Sequence, residues 1–177
     1  MRKGTFQKSI RIFYLLILSF ANGVVNAGHV DAPVISIIID DIGYRNVDDL
    51  KALELPGPIT YAVMPHSPLS QKISEIAKES GKSILLHLPM EAIDHNKNVY
   101  LGPGALKQEM NEVQFISTLS QNLRSIPGAI GVNNHMGSLL TMKTEQMEWL
   151  MSYLYLRNIF YVDSMTNNNT VASVIAG

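Results

Sequence analysis

The stretch that decides the fold runs from residue 34 to residue 44 and reads Val34-Ile35-Ser36-Ile37-Ile38-Ile39-Asp40-Asp41-Ile42-Gly43-Tyr44. Its apolar first half is typical of a strand that is covered on both faces in a parallel sheet. In βα folds, the chemistry lies where such strands end. Two adjacent carboxylates are costly there unless a cation or a shared proton offsets their charge. The pair Asp40-Asp41 therefore predicts half of a metal or acid–base site, with capping of the next helix as the alternative.

Short apolar runs alternate with amphipathic segments along the rest of the chain. Further runs lie at residues 59–64, 83–86, 129–132 and 159–162, and the segments between them have helical periodicity. Strand–helix alternation of this kind predicts an α/β fold of parallel strands joined by helical crossovers.

Residues 1–27 have the pattern of a secretory signal peptide. Four basic residues come first, an apolar stretch follows at residues 12–21, and a small-residue cleavage site ends at Ala27. An uncleaved anchor is the alternative, although the stretch is shorter than the roughly 20 residues of a spanning helix. We therefore expect an exported, periplasmic or extracellular domain at residues 28–177, with no stable membrane span after cleavage.

The composition excludes several kinds of partner and site. Loss of residues 1–27 leaves 10 of the 14 basic residues against all 15 acidic ones, a formal charge of −5. That balance argues against binding to nucleic acid. The chain has no cysteine, so neither disulfides nor thiolate ligands are available. The remaining length fits one domain with a hydrophobic core.

Polar side chains follow each predicted strand. Because the carboxyl ends of parallel strands lie on one side of a fold, we expect these groups to converge on one site. One carboxylate with two imidazoles is a normal ligand set for zinc or a similar divalent ion. The candidates are Asp40, Asp41, His66, His87, Glu91, Asn133, Asn134, His135 and Asp163.

Several of these candidates have a structural alternative. His87 is either a ligand or a buried histidine bonded to backbone, whereas the turn position of His135 favours function. His66 lies between two prolines and is predicted to be a loop residue. Asp163 is predicted to cap a turn or support a ligand, and Asn133 and Asn134 either turn their loop or orient a ligand.

Five motifs in order resemble the divergent polysaccharide deacetylase family, a YibQ-like branch related to the NodB-type carbohydrate esterases. The resemblance covers residues 34–175 or so, and its motifs are Ile38-Ile39-Asp40-Asp41-Ile42-Gly43-Tyr44, His87-Leu88-Pro89-Met90-Glu91, Leu101-Gly102-Pro103-Gly104, Asn133-Asn134-His135-Met136-Gly137-Ser138 and Phe160-Tyr161-Val162-Asp163-Ser164. It implies a distorted (β/α) barrel and a metal-dependent hydrolase, with Asp40 as general base and Asp41 and His87 as ligands of a divalent metal, zinc by expectation.

The chain departs from the wider family in three places. Glu91 stands where the second histidine of a His-x-x-x-His motif would be, so either His135 or Glu91 completes the metal shell, and we favour His135. An Arg-Pro-Pro-Tyr-Gly-like motif is replaced. Relatives also continue past Gly177 to further strands and a late Gly-His-Pro motif, so we expect the C-terminal strands of the barrel to be missing and this chain to be inactive if they are required.

The resemblance implies an exported deacetylase that removes N-acetyl groups from an envelope or matrix polysaccharide, such as a peptidoglycan-like glycan. The alternative is a non-catalytic envelope protein that binds a glycan or a partner on the same fold, because fold alone does not fix function. A third interpretation is a metal hydrolase of another amide, such as a peptide crosslink.

Overall fold

The computed structural model describes residues 34–177, and the predicted signal peptide at residues 1–27 lies outside them. A single sheet of five strands in the order β1-β2-β3-β4-β5 forms the centre of the fold, and every neighbouring pair is parallel. The strands are β1 (Ile37–Ile42), β2 (Ile59–Val63), β3 (Ser83–Met90), β4 (Gly131–Met136) and β5 (Phe160–Val162). The predicted α/β fold with parallel strands is therefore confirmed.

Five α-helices connect or follow these strands. They are α1 (Asn46–Leu53), α2 (Ser70–Glu79), α3 (Glu112–Ser125), α4 (Thr144–Tyr155) and α5 (Ala172–Ala176), with short 3-10 helices at His95–Tyr100 and Leu140–Met142. The start of α3 is fixed by a capping box, in which the side chains of Asn111 and Gln114 each accept a hydrogen bond from the other's backbone N–H.

The core lies around the central strand. In β3 every residue from Ile84 to Met90 is buried, as expected for a strand covered on both faces. Helices α3 and α4 pack on each other, with Phe115 and Trp149 edge to face at 5.6 Å between ring centroids. The sheet is therefore held rigidly at its middle, where β3 and β4 carry His87 and His135.

Strand β1 differs from the prediction that its apolar run is covered on both faces. Val34 and Ile35 are 89% and 86% exposed and precede the strand, and Ile37 is 53% exposed. The physical reason is that β1 pairs with β2 alone among the described residues, so it is an edge strand. The strand also extends through Asp40 and Asp41 rather than ending before them.

The five strands form an open sheet within residues 34–177, because β1 pairs with β2, β5 pairs with β4, and no described pairing joins β1 to β5. The distorted barrel implied by the resemblance is thus not formed by these strands, and it stays a prediction together with the missing C-terminal strands. A groove of about 1030 Å³ lies along β5, α4 and α5, and its lining includes none of Asp41, His87 and His135.

No helix among residues 34–177 is both long enough and apolar enough to cross a lipid bilayer.

Candidate metal centre

A β-bulge in β1 turns both acids of the Asp40-Asp41 pair toward the same site. In a regular strand, neighbouring side chains point to opposite faces. Here Ile39 pairs with Tyr61 and Ile42 with Val63, so β1 contains one residue more than β2 over this interval. The backbone accommodates the extra residue at Asp41, whose φ is 61°. This is a left-handed conformation that aspartate tolerates better than most residues do. An extra residue of this kind re-aims a side chain, which is a common role of bulges beside active sites.

Three of the predicted residues come together at the carboxyl ends of their strands. One ligand atom from each of Asp41, His87 and His135 lies within 4.8 Å of the others. Asp41 Oδ1 is 3.2 Å from His87 Nε2 and 3.0 Å from His135 Nδ1. Donor atoms about 3.3 Å apart surround a tetrahedral ion with bonds of about 2.0 Å. The spacing and the donor set therefore fit zinc or a similar divalent ion, and the role of the three residues as ligands stays a prediction.

The site is open on one side and closed on the other. The Asp41 side chain is 61% exposed, whereas the side chains of His135 and His87 are 19% and 4% exposed. The two imidazoles meet edge to face, with ring centroids 5.0 Å apart. An ion at this position would be held on the closed side by the two imidazoles, of which His87 is buried, and it would remain accessible to a substrate from the exposed side near Asp41.

The charge of Asp41 is strongly favoured in this environment. Hydrogen bonds from His135 and then His87 hold the pKa of the Asp41 carboxyl far below its ordinary value, against the opposing effect of partial burial. The carboxylate is therefore ionised throughout the pH range in which proteins are normally stable, as a metal ligand must be.

Asp40 lies beside the three residues but contacts a different partner. Its Oδ1 accepts a hydrogen bond of 2.8 Å from Asn133 Nδ2 and lies 3.8 Å from His87 Nδ1. The Asn133 Oδ1 in turn accepts a hydrogen bond of 2.9 Å from His87 Nδ1. Asp40 is thus adjacent to the candidate metal position without belonging to the three-residue cluster, which suits a base.

The turn that follows β1 is fixed by a buried carboxylate that the sequence analysis missed. Asp49, which is 1% exposed, accepts 2.8 Å hydrogen bonds from the backbone N–H groups of Gly43 and Arg45. Gly43 has a φ of 139°, and a Cβ there would collide with the Ser67 side chain. A signal for Asp49 existed in the sequence, because it lies four residues before Leu53 and therefore on the buried face of α1.

Three other predicted candidates are placed elsewhere. Glu91 is 5% exposed, and its Oε2 accepts a 2.8 Å hydrogen bond from the backbone of Gln108. His66 Nε2 bonds to the Asn122 side chain at 3.0 Å, and Asp163 Oδ1 accepts from the backbone of Met165. The structure therefore groups His135, and not Glu91, with Asp41 and His87.

The two adjacent asparagines of β4 face opposite sides of the sheet and make different hydrogen bonds. Asn133 contacts the site, whereas the Asn134 Oδ1 accepts hydrogen bonds from the Tyr161 hydroxyl at 3.0 Å and from the Ser164 backbone at 2.8 Å. Burial raises the pKa of the Tyr161 hydroxyl, with a further contribution from the charge of Asp163, so the phenol stays protonated and can donate. Asn134 thereby joins the ends of β4 and β5.

Comparison with known proteins gives relatives that match most of the chain. An uncharacterized protein of Escherichia coli, YibQ, is 33% identical over 156 residues, which are 88% of this chain and 48% of that protein. An uncharacterized protein of Haemophilus influenzae is 33% identical over 142 residues, 80% of this chain and 50% of that protein. The chain thus spans about half the length of the curated relatives it matches.

A solved structure has the same fold. The crystal structure of the uncharacterized protein ATU2773 from Agrobacterium tumefaciens superposes with a TM-score of 0.75 and 22% sequence identity, covering 80% of this chain and 57% of that one. Residues 37–177 also match the sequence profile that describes divergent polysaccharide deacetylases. Together with the two relatives at 33% identity, this match over most of the chain shows that it belongs to the divergent polysaccharide deacetylase family.

Proposed function

We propose that this chain carries the metal-binding site of an exported hydrolase that removes N-acetyl groups from an envelope or matrix polysaccharide. The observation that carries the proposal is the convergence of Asp41, His87 and His135 with a second carboxylate, Asp40, beside them. Membership of the deacetylase family supports the reaction class, and the signal-peptide pattern of residues 1–27 supports export.

The donor set assigns each residue a task. His87 Nε2, His135 Nδ1 and an oxygen of Asp41 would hold a divalent ion, zinc by preference, because imidazole and carboxylate are its usual ligands beside an open position. When bound, such an ion polarises the acetamide carbonyl and makes a water molecule acidic enough to attack near neutral pH.

Asp40 is the proposed general base. Its Oδ1 is held by Asn133, which fixes the carboxylate beside the three-residue cluster and leaves the second oxygen to accept the proton of the attacking water. The water oxygen adds to the carbonyl carbon, the carbon–nitrogen bond breaks, and the proton passes to the amine, which gives acetate and a free amino sugar. The open Asp41 side of the site is the side from which a glycan would approach.

A first experiment tests the metal. We expect the purified chain to contain about one zinc, measured by plasma mass spectrometry, and Asp41→Ala to lose it while keeping its circular dichroism spectrum. Asp48, an exposed acid of α1, provides the matched control, since Asp48→Ala removes one carboxylate away from the cluster. A folded wild-type chain that binds no zinc would overturn the proposed function.

A second experiment tests the reaction. We expect acetate release from oligomers of N-acetylglucosamine, and a loss of about 100-fold to 10,000-fold in Asp40→Asn, the range for removal of a general base. Because the asparagine can still accept a hydrogen bond from Asn133, this variant should retain its zinc. Zinc binding without acetate release would instead support the second candidate, a glycan-binding envelope protein. The observation that favours that candidate is Glu91, which stands where the wider family is expected to have a histidine and which bonds to the backbone of Gln108.

A further inference from the structure

Asn133 is the only described residue whose side chain bonds to both the proposed base and a proposed ligand. It is 2% exposed, its Oδ1 lies 2.9 Å from His87 Nδ1, and its Nδ2 lies 2.8 Å from Asp40 Oδ1. Both distances are within the normal range of N–H···O hydrogen bonds. The amide therefore forms a continuous hydrogen-bonded chain from Asp40 to His87.

The chemistry of the three groups fixes the direction of both bonds. An ionised carboxylate only accepts hydrogen bonds, so the amide must turn its NH₂ group toward Asp40. Its carbonyl oxygen then faces His87 and also only accepts, so His87 Nδ1 must carry a proton and donate it. With Nδ1 bonded to Asn133, Nε2 is the nitrogen left to bind an ion, and ion binding would displace the proton that Nε2 donates to Asp41 Oδ1 across 3.2 Å.

The sheet leaves this bridge little freedom to move. His87 and Asn133 are directly paired in register on the neighbouring strands β3 and β4, so their side chains leave the same face of the sheet side by side. His135, two residues further along β4, leaves that face as well. The positions of the amide and of both imidazoles are therefore set by backbone pairing.

We propose that Asn133 is a positioning residue that couples the proposed base, Asp40, to a proposed metal ligand, His87. The carboxylate of Asp40 orients the amide, and the oriented amide sets the tautomer of His87 that presents Nε2 to the ion. Asp40 thereby serves the metal as well as the base reaction. The inference rests on the proposed function for the assignment of Asp40 as base and His87 as ligand, and its test uses metal affinity, which needs no activity.

A double-mutant cycle measures the coupling between Asp40 and Asn133. We expect Asn133→Ala to weaken zinc binding by about 10-fold to 100-fold, the usual effect of removing a partner of a metal ligand. Asp40→Ala removes a negative charge near the ion, and it also removes the hydrogen bond that orients the Asn133 amide. In the Asn133→Ala background only the charge effect remains, so Asp40→Ala should weaken zinc binding severalfold less there than in the wild type. Equal losses in the two backgrounds would overturn the coupling.

Asn133→Asp separates the two contacts of the amide and keeps the side-chain volume. Its carboxylate can still accept from His87 Nδ1, but it cannot donate to an ionised Asp40. We expect zinc affinity within a few-fold of wild type together with the large loss of acetate release that follows from displacement of Asp40. Zinc affinity as low as that of Asn133→Ala would overturn the proposal, whether or not the chain deacetylates a glycan.

The exposed Asn168 supplies the matched control for the charge change, as Asn168→Asp, and for the truncation, as Asn168→Ala. We expect both control variants to bind zinc as the wild type does. Thermal unfolding of each variant followed by circular dichroism identifies any loss of fold. If Asn133→Ala does not fold, the comparison of Asn133→Asp with the wild type decides the proposal alone.

Discussion

At the scale of single residues, the two adjacent acids differ because their environments differ. Asp41 accepts from two imidazoles, which depress the pKa of its carboxyl, whereas Asp40 accepts from a neutral amide. The bulge at Asp41 makes this division possible, since it brings both side chains to one face. A pair of like charges is tolerated because each has its own donor.

The depressed pKa of Asp41 predicts how acid affects the metal-free chain. A carboxyl whose pKa is lower in the folded state stabilises the fold above its unfolded pKa of about 3.9, and this stabilisation is lost as the pH falls toward the folded value. In urea unfolding, we expect wild type to be more stable than Asp41→Asn at pH 5 and the difference to shrink steadily toward pH 3.

The same pair of measurements on the exposed Asp48→Asn gives the control, for which we expect no comparable change between pH 5 and pH 3. A difference between wild type and Asp41→Asn that stays constant across this interval would contradict the hydrogen-bonded environment of Asp41.

Position at the ends of apolar runs placed Asp41, His87 and His135 among nine candidates, and the family resemblance selected these three, which the structure brings together. The sequence was not sufficient to choose between Asn133 and Asn134. Adjacent residues of a strand face opposite sides, and only the register of β4 against β3 decides which asparagine faces His87. The sequence also did not reveal where the Glu91 carboxylate lies, because its hydrogen-bond partner is the backbone of Gln108.

At the scale of elements, predicted and observed strands differ mainly at their carboxyl ends. The sequence predicted that polar residues end β1, β3 and β4, yet the strands extend to Ile42, Met90 and Met136. Polarity does not stop a strand whose neighbour continues the backbone hydrogen-bond ladder, as β3 and β4 do for each other through Met90 and Met136. The site residues therefore lie on rigid strands and not in loops.

The junction of β1 and α1 depends on the buried carboxylate of Asp49. Removal of that carboxylate in Asp49→Ala leaves the backbone N–H groups of Gly43 and Arg45 without their acceptor. An unsatisfied buried donor costs about 1–3 kcal/mol, so we expect a loss of this order in the free energy of unfolding, measured by urea denaturation. Weaker zinc binding should accompany it, because the turn holds the bulge at Asp41.

Asp48→Ala in the same helix provides the control for Asp49→Ala, since Asp48 is exposed and we expect its loss to change the free energy of unfolding by less than about 0.5 kcal/mol. Equal effects of the two substitutions would show that the hydrogen bonds of Asp49 do not hold the turn.

At the scale of the whole molecule, the sheet is covered in the middle and apolar at its edges. Within residues 34–177, β1 exposes Ile37 at 53% and β5 exposes Phe160 at 49%. Apolar edge strands promote pairing with other chains. The parallel α/β fold itself was predictable from strand–helix alternation, whereas the exposure of β1 was not, because an apolar run does not reveal how many strands flank it.

This exposure predicts self-association of the purified chain. We expect its sedimentation coefficient to rise with concentration and Ile37→Lys to reduce that rise, because a lysine on an edge strand opposes pairing. Val113 of α3 is 79% exposed away from the sheet edges, so Val113→Lys removes a similar apolar group without affecting β1. Equal reductions by the two lysines would contradict association through the edge.

The bulge in β1 also governs which changes of length the strand can tolerate. The single extra residue between Ile39 and Ile42 reverses the odd–even order of side chains along the strand. Loss of one codon in this interval would restore the regular order and turn every residue on one side of the lost position to the other face of the sheet. No single substitution could reverse that change of face. The number of residues between positions 39 and 42 therefore matters more for keeping the site than the identity of any one apolar residue around it.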